Sequence, residues 1–223
     1  RAVDAIALGV SEVIPIEITS AYAAISNNGI LTDPLSIISI HAKGGREIKQ
    51  FLNTSVEIAN ESDIYILRDM MKSVVDRGTG GSIRWKYKFY APAAGKTGTT
   101  NSKTDAWFVG FTPQIAIGVW VGLDDPSMTL GDKQYGSSAA LPIFAKSIKS
   151  IYEKGNYSYL NQTIKLNSKE DWSMPKDVII KDICNNTCCL KTEWCDSYKE
   201  YFNSDNIPKE LCADSNPLFR FSD

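Results

Sequence analysis

The sequence predicts a mixed α/β fold, and three observations carry that reading. Apolar residues recur at helical spacing in three separate segments. Three extended runs, the last two rich in Trp, Phe, Val and Ile, lie together between residues 91 and 123. The joints between those runs are too short for a crossover, so the runs are expected to be adjacent antiparallel strands. At 223 residues the chain is long enough for a buried core in one or two domains. Its 43% apolar and 22% charged residues exclude a disordered chain, a collagen and a coiled-coil rod.

The first helix is expected over residues 14–28, on the stripe Ile14, Ile18, Tyr22 and Ile25, with Gly29 as its stop. Residues 35–51 read as a β-hairpin, Ile37, Ile38 and Ile40 leading into it and Ile48 and Phe51 following. Gly44-Gly45 suits a two-residue primed turn. Ser62 is the expected N-cap of a second helix with the stripe Ile64, Leu67, Met71 and Val74, ending at Gly78. Gly78-Thr79-Gly80-Gly81 reads as a flexible loop. The extended runs follow at 91–100, 105–112 and 114–123, the last two separated by the turn signal Thr112-Pro113. A closing helix is expected over 140–153, with Leu141, Phe144, Ile148 and Ile151 on one side and Pro142 in its first turn. Beyond about residue 155 the apolar periodicity fades. The expected division is therefore a domain over 1–155 and an extension over 156–223.

Several chemistries are excluded by counting. The 24 basic and 26 acidic residues leave a net charge of −2, which implies no broad basic surface for nucleic acid. The single histidine, His41, removes most zinc hydrolases and most His-based triads and is expected to be structural or solvated. No metal site and no cofactor is expected. No run approaches the ~20 apolar residues of a membrane helix. The chain opens on Arg1 without a methionine, as a piece of a longer protein would. All five cysteines, Cys184, Cys188, Cys189, Cys195 and Cys212, fall in the extension without the paired C-x-x-C knuckles of a zinc ribbon. Disulfides are expected instead, in one of several pairings.

Gly95-Lys96-Thr97 is not the end of a P-loop, because Tyr90 stands where that motif needs glycine and a β-rich run follows where it needs a helix. Read as Lys96-Thr97-Gly98-Thr99, the segment has a different logic. A lysine ammonium and threonine hydroxyls on an edge strand can hold a carboxylate and raise the potential near a nucleophile. A glycine admits a ligand to the backbone, and a free N–H can serve an oxyanion hole.

The run Ala94-Gly95-Lys96-Thr97-Gly98-Thr99-Thr100-Asn101, followed by Thr104-Asp105-Ala106-Trp107-Phe108-Val109-Gly110-Phe111-Thr112-Pro113, closely resembles the transpeptidase domain of class A penicillin-binding proteins. Leu8-Gly9-Val10-Ser11-Glu12-Val13 with Ala21-Tyr22-Ala23, Asp76-Arg77-Gly78-Thr79-Gly80, and Val119-Trp120-Val121-Gly122 with Asp124-Asp125 are similar to other stretches of that family. The likeness covers about residues 5–150. It extends loosely to Cys184, Thr192-Glu193 and Cys195, while the vicinal pair Cys188-Cys189 is foreign to it.

This resemblance implies an antiparallel sheet flanked by helices, and acyl transfer. A serine attacks the D-Ala-D-Ala bond of a cell-wall stem peptide, an amine of a neighbouring stem resolves the acyl-enzyme, and β-lactams trap the serine. It implies that Lys96 joins a hydrogen-bond and proton network, and that Thr97 and Thr99 bind the substrate or β-lactam carboxylate. The Thr99 N–H is then half of the oxyanion hole, and Gly98 allows close approach. Trp107 and Phe108 are expected in the core. Such enzymes also carry Ser-x-x-Lys and Ser-x-Asn before Lys-Thr-Gly. Here Ser173-Met174-Pro175-Lys176 comes in the wrong order and contains a proline, Ser26-Asn27-Asn28 sits at a helix end, and Ser204-Asp205-Asn206 lies in the extension. The nucleophile is therefore expected outside this chain, on the N-terminal half of the same domain, present as a separate partner chain that carries Ser-x-x-Lys and Ser-x-Asn. The parent is expected to be extracytoplasmic and anchored by an N-terminal helix. A β-lactamase or D-Ala carboxypeptidase relative and a non-catalytic penicillin-recognition module are the alternatives.

Overall fold

A computed structural model describes residue 9 and residues 11–125, 127–159, 162–185 and 189–212. Leu8 and Val10, from one of the quoted stretches, and Cys188 lie outside the described residues. Among the described residues no helix is long and apolar enough to cross a membrane.

Helix α1 spans Pro15–Ser26, and Gly29 ends it as expected, its N–H donating to the Ala24 carbonyl from a positive φ of 88°. Strand β1 (Ile30–Thr32) follows, then β2 (Ser39–His41) and β3 (Glu47–Gln50), which form the expected hairpin, and β4 (Ser55–Glu57), which pairs with β1. The hairpin turn differs from the two-residue prediction. Ala42 N–H pairs with Arg46 O, so three residues, 43–45, form the loop. A register shift between Ile40 and His41 absorbs the odd residue. His41 bonds Ser39 and Gly45 within this hairpin, a structural role as expected.

Helix α2 (Glu61–Asp76) is capped by Asn60, not by Ser62. Asn60 holds the extended backbone a cap requires, and its side chain accepts from the Ser62 N–H at 2.8 Å; Ser62 is already helical and buried. The buried stripe is also rotated from the predicted one. Ile64 and Met71 lie on it, but Arg68 and Val75 replace Leu67 and Val74, and Leu67 is 41% exposed. Hydropathy hides Arg68, whose guanidinium donates to the Ile25 carbonyl and to Asn28 Oδ1 while stacking on Tyr65 and Trp172. Burial pulls its pKa down to about 10.

The glycine segment expected to be a flexible loop is hydrogen-bonded back onto α2, Gly80 N–H to Val74 O, and leads into an unpredicted single-turn helix α3 (Ser82–Trp85). Arg84 in α3 donates to Asp76 and to the Phe89 and Ala91 carbonyls, which fixes the approach to the next strand. Strands β5 (Ala94–Thr99), β6 (Asp105–Phe111) and β7 (Ala116–Gly122) form an antiparallel sheet in that order, as their short connections require. Helix α4 (Leu141–Lys154) closes on Gly155 in the left-handed region, and a π-helical turn over Gly136–Ala140 starts it earlier than predicted.

Strand alternation sends Phe108 and Val119 to one face, against Leu141, Phe144 and Ile148 of α4. It sends Ala94 and Phe111 to the other, against Tyr22 of α1 and Met71 of α2. The same alternation corrects the expectation that Trp107 joins Phe108 in the core. Adjacent residues face opposite ways, and Trp107 is half-buried beside Trp120, centroids 6.3 Å apart.

The extension contains two hairpins that its polar sequence did not reveal: β8 (Asn156–Tyr159) with β9 (Gln162–Lys165), and β10 (Val178–Cys184) with β11 (Ser197–Asn203). A disulfide joins Cys184 to Cys195, Cα atoms 5.6 Å apart, which meets the expectation of a bridge in the extension. Trp172 donates its indole N–H to the Ser26 carbonyl and packs edge-on against Phe111; Lys72 pairs with Asp171, and Asn203 donates to Asp63.

Candidate active-site edge

Strand β5 has β6 on one side, and among the described residues no strand pairs with its other edge. Which groups point there follows from the register. Thr100 N–H bonds Asp105 O, and pairs in that register recur at every second residue. Ala94, Lys96 and Gly98 therefore turn their peptide groups towards β6, whereas Gly95, Thr97 and Thr99 turn theirs to the free edge. Side chains alternate independently. Lys96 shares a face with Trp107, while Thr97 and Thr99 face α4.

Three contacts set these side chains. Lys96 Nζ curls over the edge and donates to the outward Thr97 carbonyl at 2.9 Å. The Thr97 hydroxyl lies 2.9 Å from that of Thr79 in the glycine segment. The Thr99 hydroxyl accepts the Gly136 N–H at 3.0 Å. Lys96 and Thr99 remain exposed. The turn leaving β5 is held by Thr100 Oγ1, which accepts the N–H groups of both Thr104 and Asp105, while Asp105 accepts the indole N–H of Trp120. The Thr-Asp pair of the quoted motif thus fixes the turn after Lys-Thr-Gly.

Gly98 permits close approach by the chain itself. A β-carbon there would lie 3.2 Å from Cβ of Trp107 across the pair, and Gly136 packs directly against the Gly98 backbone. Gly136 escaped the sequence reading; a lone glycine before a helix is an ambiguous signal, and only the close passage over Gly98 explains it. The serine motifs stay apart from this edge in chemistry. Ser26 Oγ donates to the Thr112 carbonyl at the end of α1, Ser173 lies in irregular chain, and Ser204 lies in a turn after β11. Among the described residues no cluster of three or more His, Cys, Asp or Glu gathers to hold a metal ion. The edge therefore offers an ammonium, two hydroxyls and outward N–H groups, a set suited to binding a carboxylate and polarising a carbonyl.

The sequence and the fold are similar to those of known proteins. Residues 2–149 match the family described as the penicillin binding protein transpeptidase domain. The chain is 32% identical over 213 residues to penicillin-binding protein 1A of Aquifex aeolicus, covering 96% of this chain and 27% of that protein. It is 28% identical over 209 residues to penicillin-binding protein 1A of Clostridium tetani, covering 92% of this chain and 25% of the relative. The fold is similar to the crystal structure of penicillin-binding protein 1A from Haemophilus influenzae, with a TM-score of 0.82 at 22% identity over 96% of this chain and 35% of that one. The chain thus spans about a quarter of the length of these relatives. With the Lys-Thr-Gly strand inside the matched region and the sheet and helices of that fold around it, the chain belongs to the penicillin-binding protein transpeptidase domain family.

Proposed function

We propose that this chain supplies the Lys-Thr-Gly half of a serine D,D-transpeptidase site that cross-links peptidoglycan stem peptides and is trapped by β-lactams. The observation that carries the reading is the edge of β5, where the peptide N–H groups of Thr97 and Thr99 turn outward while their hydroxyls lie on the adjoining face. In this reading Thr97 and Thr99 hold the carboxylate of the donor's terminal D-Ala, and the Thr99 N–H donates to the carbonyl oxygen as it becomes an oxyanion. Lys96 leaves the Thr97 carbonyl to join the proton network of a serine hydroxyl. Gly98 keeps the strand slim where substrate lies along it. The nucleophilic serine comes from the preceding part of the same domain, which carries Ser-x-x-Lys and Ser-x-Asn. Residues 1–155 then belong to the catalytic domain and 156–223 form the extension strapped to it. The parent protein works outside the cytoplasm, anchored ahead of this segment.

The test is labelling with a fluorescent penicillin followed by a denaturing gel. The full-length protein takes covalent label, and Lys96→Ala or Thr99→Ala lowers the labelling rate about tenfold or more. This chain alone takes none. Covalent label on the isolated chain would place the nucleophile within it and overturn the division of labour.

A further inference from the structure

Helix α2 touches both the sheet and the extension. Towards the sheet, Met71 packs with Ala94 of β5 and Phe111 of β6. Further round the helix, three contacts reach it from the extension: Lys72 pairs with Asp171 at 2.9 Å, Tyr65 meets Tyr201 edge-on with centroids 5.5 Å apart, and Asp63 accepts from Asn203. Between these two faces lies Arg68, 1% exposed. Its Nη1 donates to the end of α1 and to Asn28, but among the described residues its Nη2 has no hydrogen-bond partner and no carboxylate lies within ion-pair distance of it. A buried cation without an acid is costly unless something else covers it. Trp172 of the extension supplies cover, its ring 4.8 Å from the guanidinium. Trp172 is itself pinned, its indole N–H donating to the Ser26 carbonyl at 2.9 Å and its ring edge-on to Phe111 at 5.7 Å. One side chain of the extension thus ties together the end of α1, the middle of α2 and the end of β6.

At its other end α2 carries Thr79. The segment after the helix is bonded back onto the last turn, Arg77 N–H to Ser73 O and Gly80 N–H to Val74 O. A β-carbon on Gly78 or on Gly80 would lie 2.9 Å from the Val74 backbone, so the two glycines press the segment against the helix. Thr79 therefore moves with α2, and its hydroxyl lies 2.9 Å from that of Thr97. We infer that Trp172 is a positioning residue for the Lys-Thr-Gly edge: it seats α2 on the sheet, and α2 sets the Thr97 hydroxyl through Thr79. The inference rests on the reading of β5 as the acyl-transfer edge, and it gives the extension, which lies beyond the residues that match the transpeptidase family, a part in that reaction. Without the indole, water reaches Arg68, α2 loses its stop against Phe111, and the displacement arrives at Thr97 along a rigid helix. A misplacement of about 1 Å costs about a hundredfold in rate, so a shift of about half that is expected to cost about tenfold.

The experiment uses the full-length protein and a fluorescent penicillin, and reads two quantities: the fraction of protein labelled at completion and the rate constant of labelling at saturating penicillin. Trp172→Ala is expected to lower the rate constant about tenfold while the labelled fraction stays near that of the wild type. Trp172→Phe, which keeps a ring over Arg68, restores most of the rate. In a Thr79→Ala background the Trp172 substitution is expected to change the rate less than about twofold, because the path it acts through is already cut. Should Trp172→Ala fail to fold, Trp172→Leu, which keeps apolar bulk without the ring or its N–H, enters the same cycle under the same criteria. An unchanged rate constant overturns the inference, as does an equal fall in both backgrounds, or a fall confined to the labelled fraction, which marks loss of folded protein. A wild-type protein that takes no label refutes the acyl-transfer reading itself, and the inference with it; a labelled wild type matched by its Trp172 variants refutes only the positioning role.

Discussion

Gly110→Ala should destabilise this protein through a collision whose size follows from the coordinates. Gly110 lies on β6, paired with Gly95 at the start of the Lys-Thr-Gly strand. A β-carbon there would lie 2.7 Å from Cε1 of Phe108, 2.7 Å from Cζ of Phe144 and 2.9 Å from Cε2 of Phe144. Carbon atoms rest at about 3.5–4.0 Å, so the overlap is roughly 0.6–1.3 Å against two rings at once. Both rings are fully buried and packed on each other with centroids 4.7 Å apart, so neither can swing into solvent. Either α4 must move away from the sheet or β6 must buckle, and overpacking of this kind costs about 1–3 kcal/mol. In a protein of this size that is a fall of about 2–4 °C in Tm for each kcal/mol. Urea unfolding followed by tryptophan fluorescence measures it, with m unchanged and the midpoint lowered. Adding Phe144→Leu, which removes the ring edge, should recover part of the loss. Gly110→Ala with wild-type stability, or no recovery in the double variant, would refute this packing account.

Other outcomes follow from local contacts. Asn60→Ala should cost about 1 kcal/mol through loss of the α2 cap and Asn60→Asp should cost little, as read by denaturant midpoints. Non-reducing peptide mapping should recover a Cys184–Cys195 linked peptide, and Cys195→Ser should lower stability by about 2–3 kcal/mol for so short a loop. Burial in the fold raises the pKa of Asp69, with Glu200 adding to the rise and Lys72 opposing it. A raised carboxylate stabilises the fold below its unfolded pKa and loses that contribution as pH rises through the folded value. Asp69→Asn should therefore be more stable than the wild type at neutral pH, and the difference should shrink towards zero as pH falls below the ordinary carboxylate range; equal unfolding midpoints at neutral pH would contradict this.

Much of the candidate site was legible because its signals are local. The strand edge carrying Lys96 to Thr99 could be read from an extended run followed by two more at short spacing, and the helices from stripes that repeat each turn. Pro142 and Gly29 mark helix ends through their own backbone restrictions. The fit of one motif to one family then carried the chemistry further than periodicity could. What escaped depends on groups far apart in the chain. Arg68 belongs on the buried side of α2 only because carbonyls from α1 and the ring of Trp172 receive it. Ser62 and Asn60 are equally good caps by residue type, and backbone conformation selected Asn60. The Thr79–Thr97 and Gly136–Thr99 contacts that shape the β5 edge join residues 18 and 37 apart. Trp172 reaches Ser26 across 146 residues, and nothing in the polar sequence around it marks that destination. Sequence pattern records what each residue prefers within a turn or a strand; which surfaces meet, and so which polar group finds its partner there, was decided only when the sheet, α2, α4 and the extension packed together.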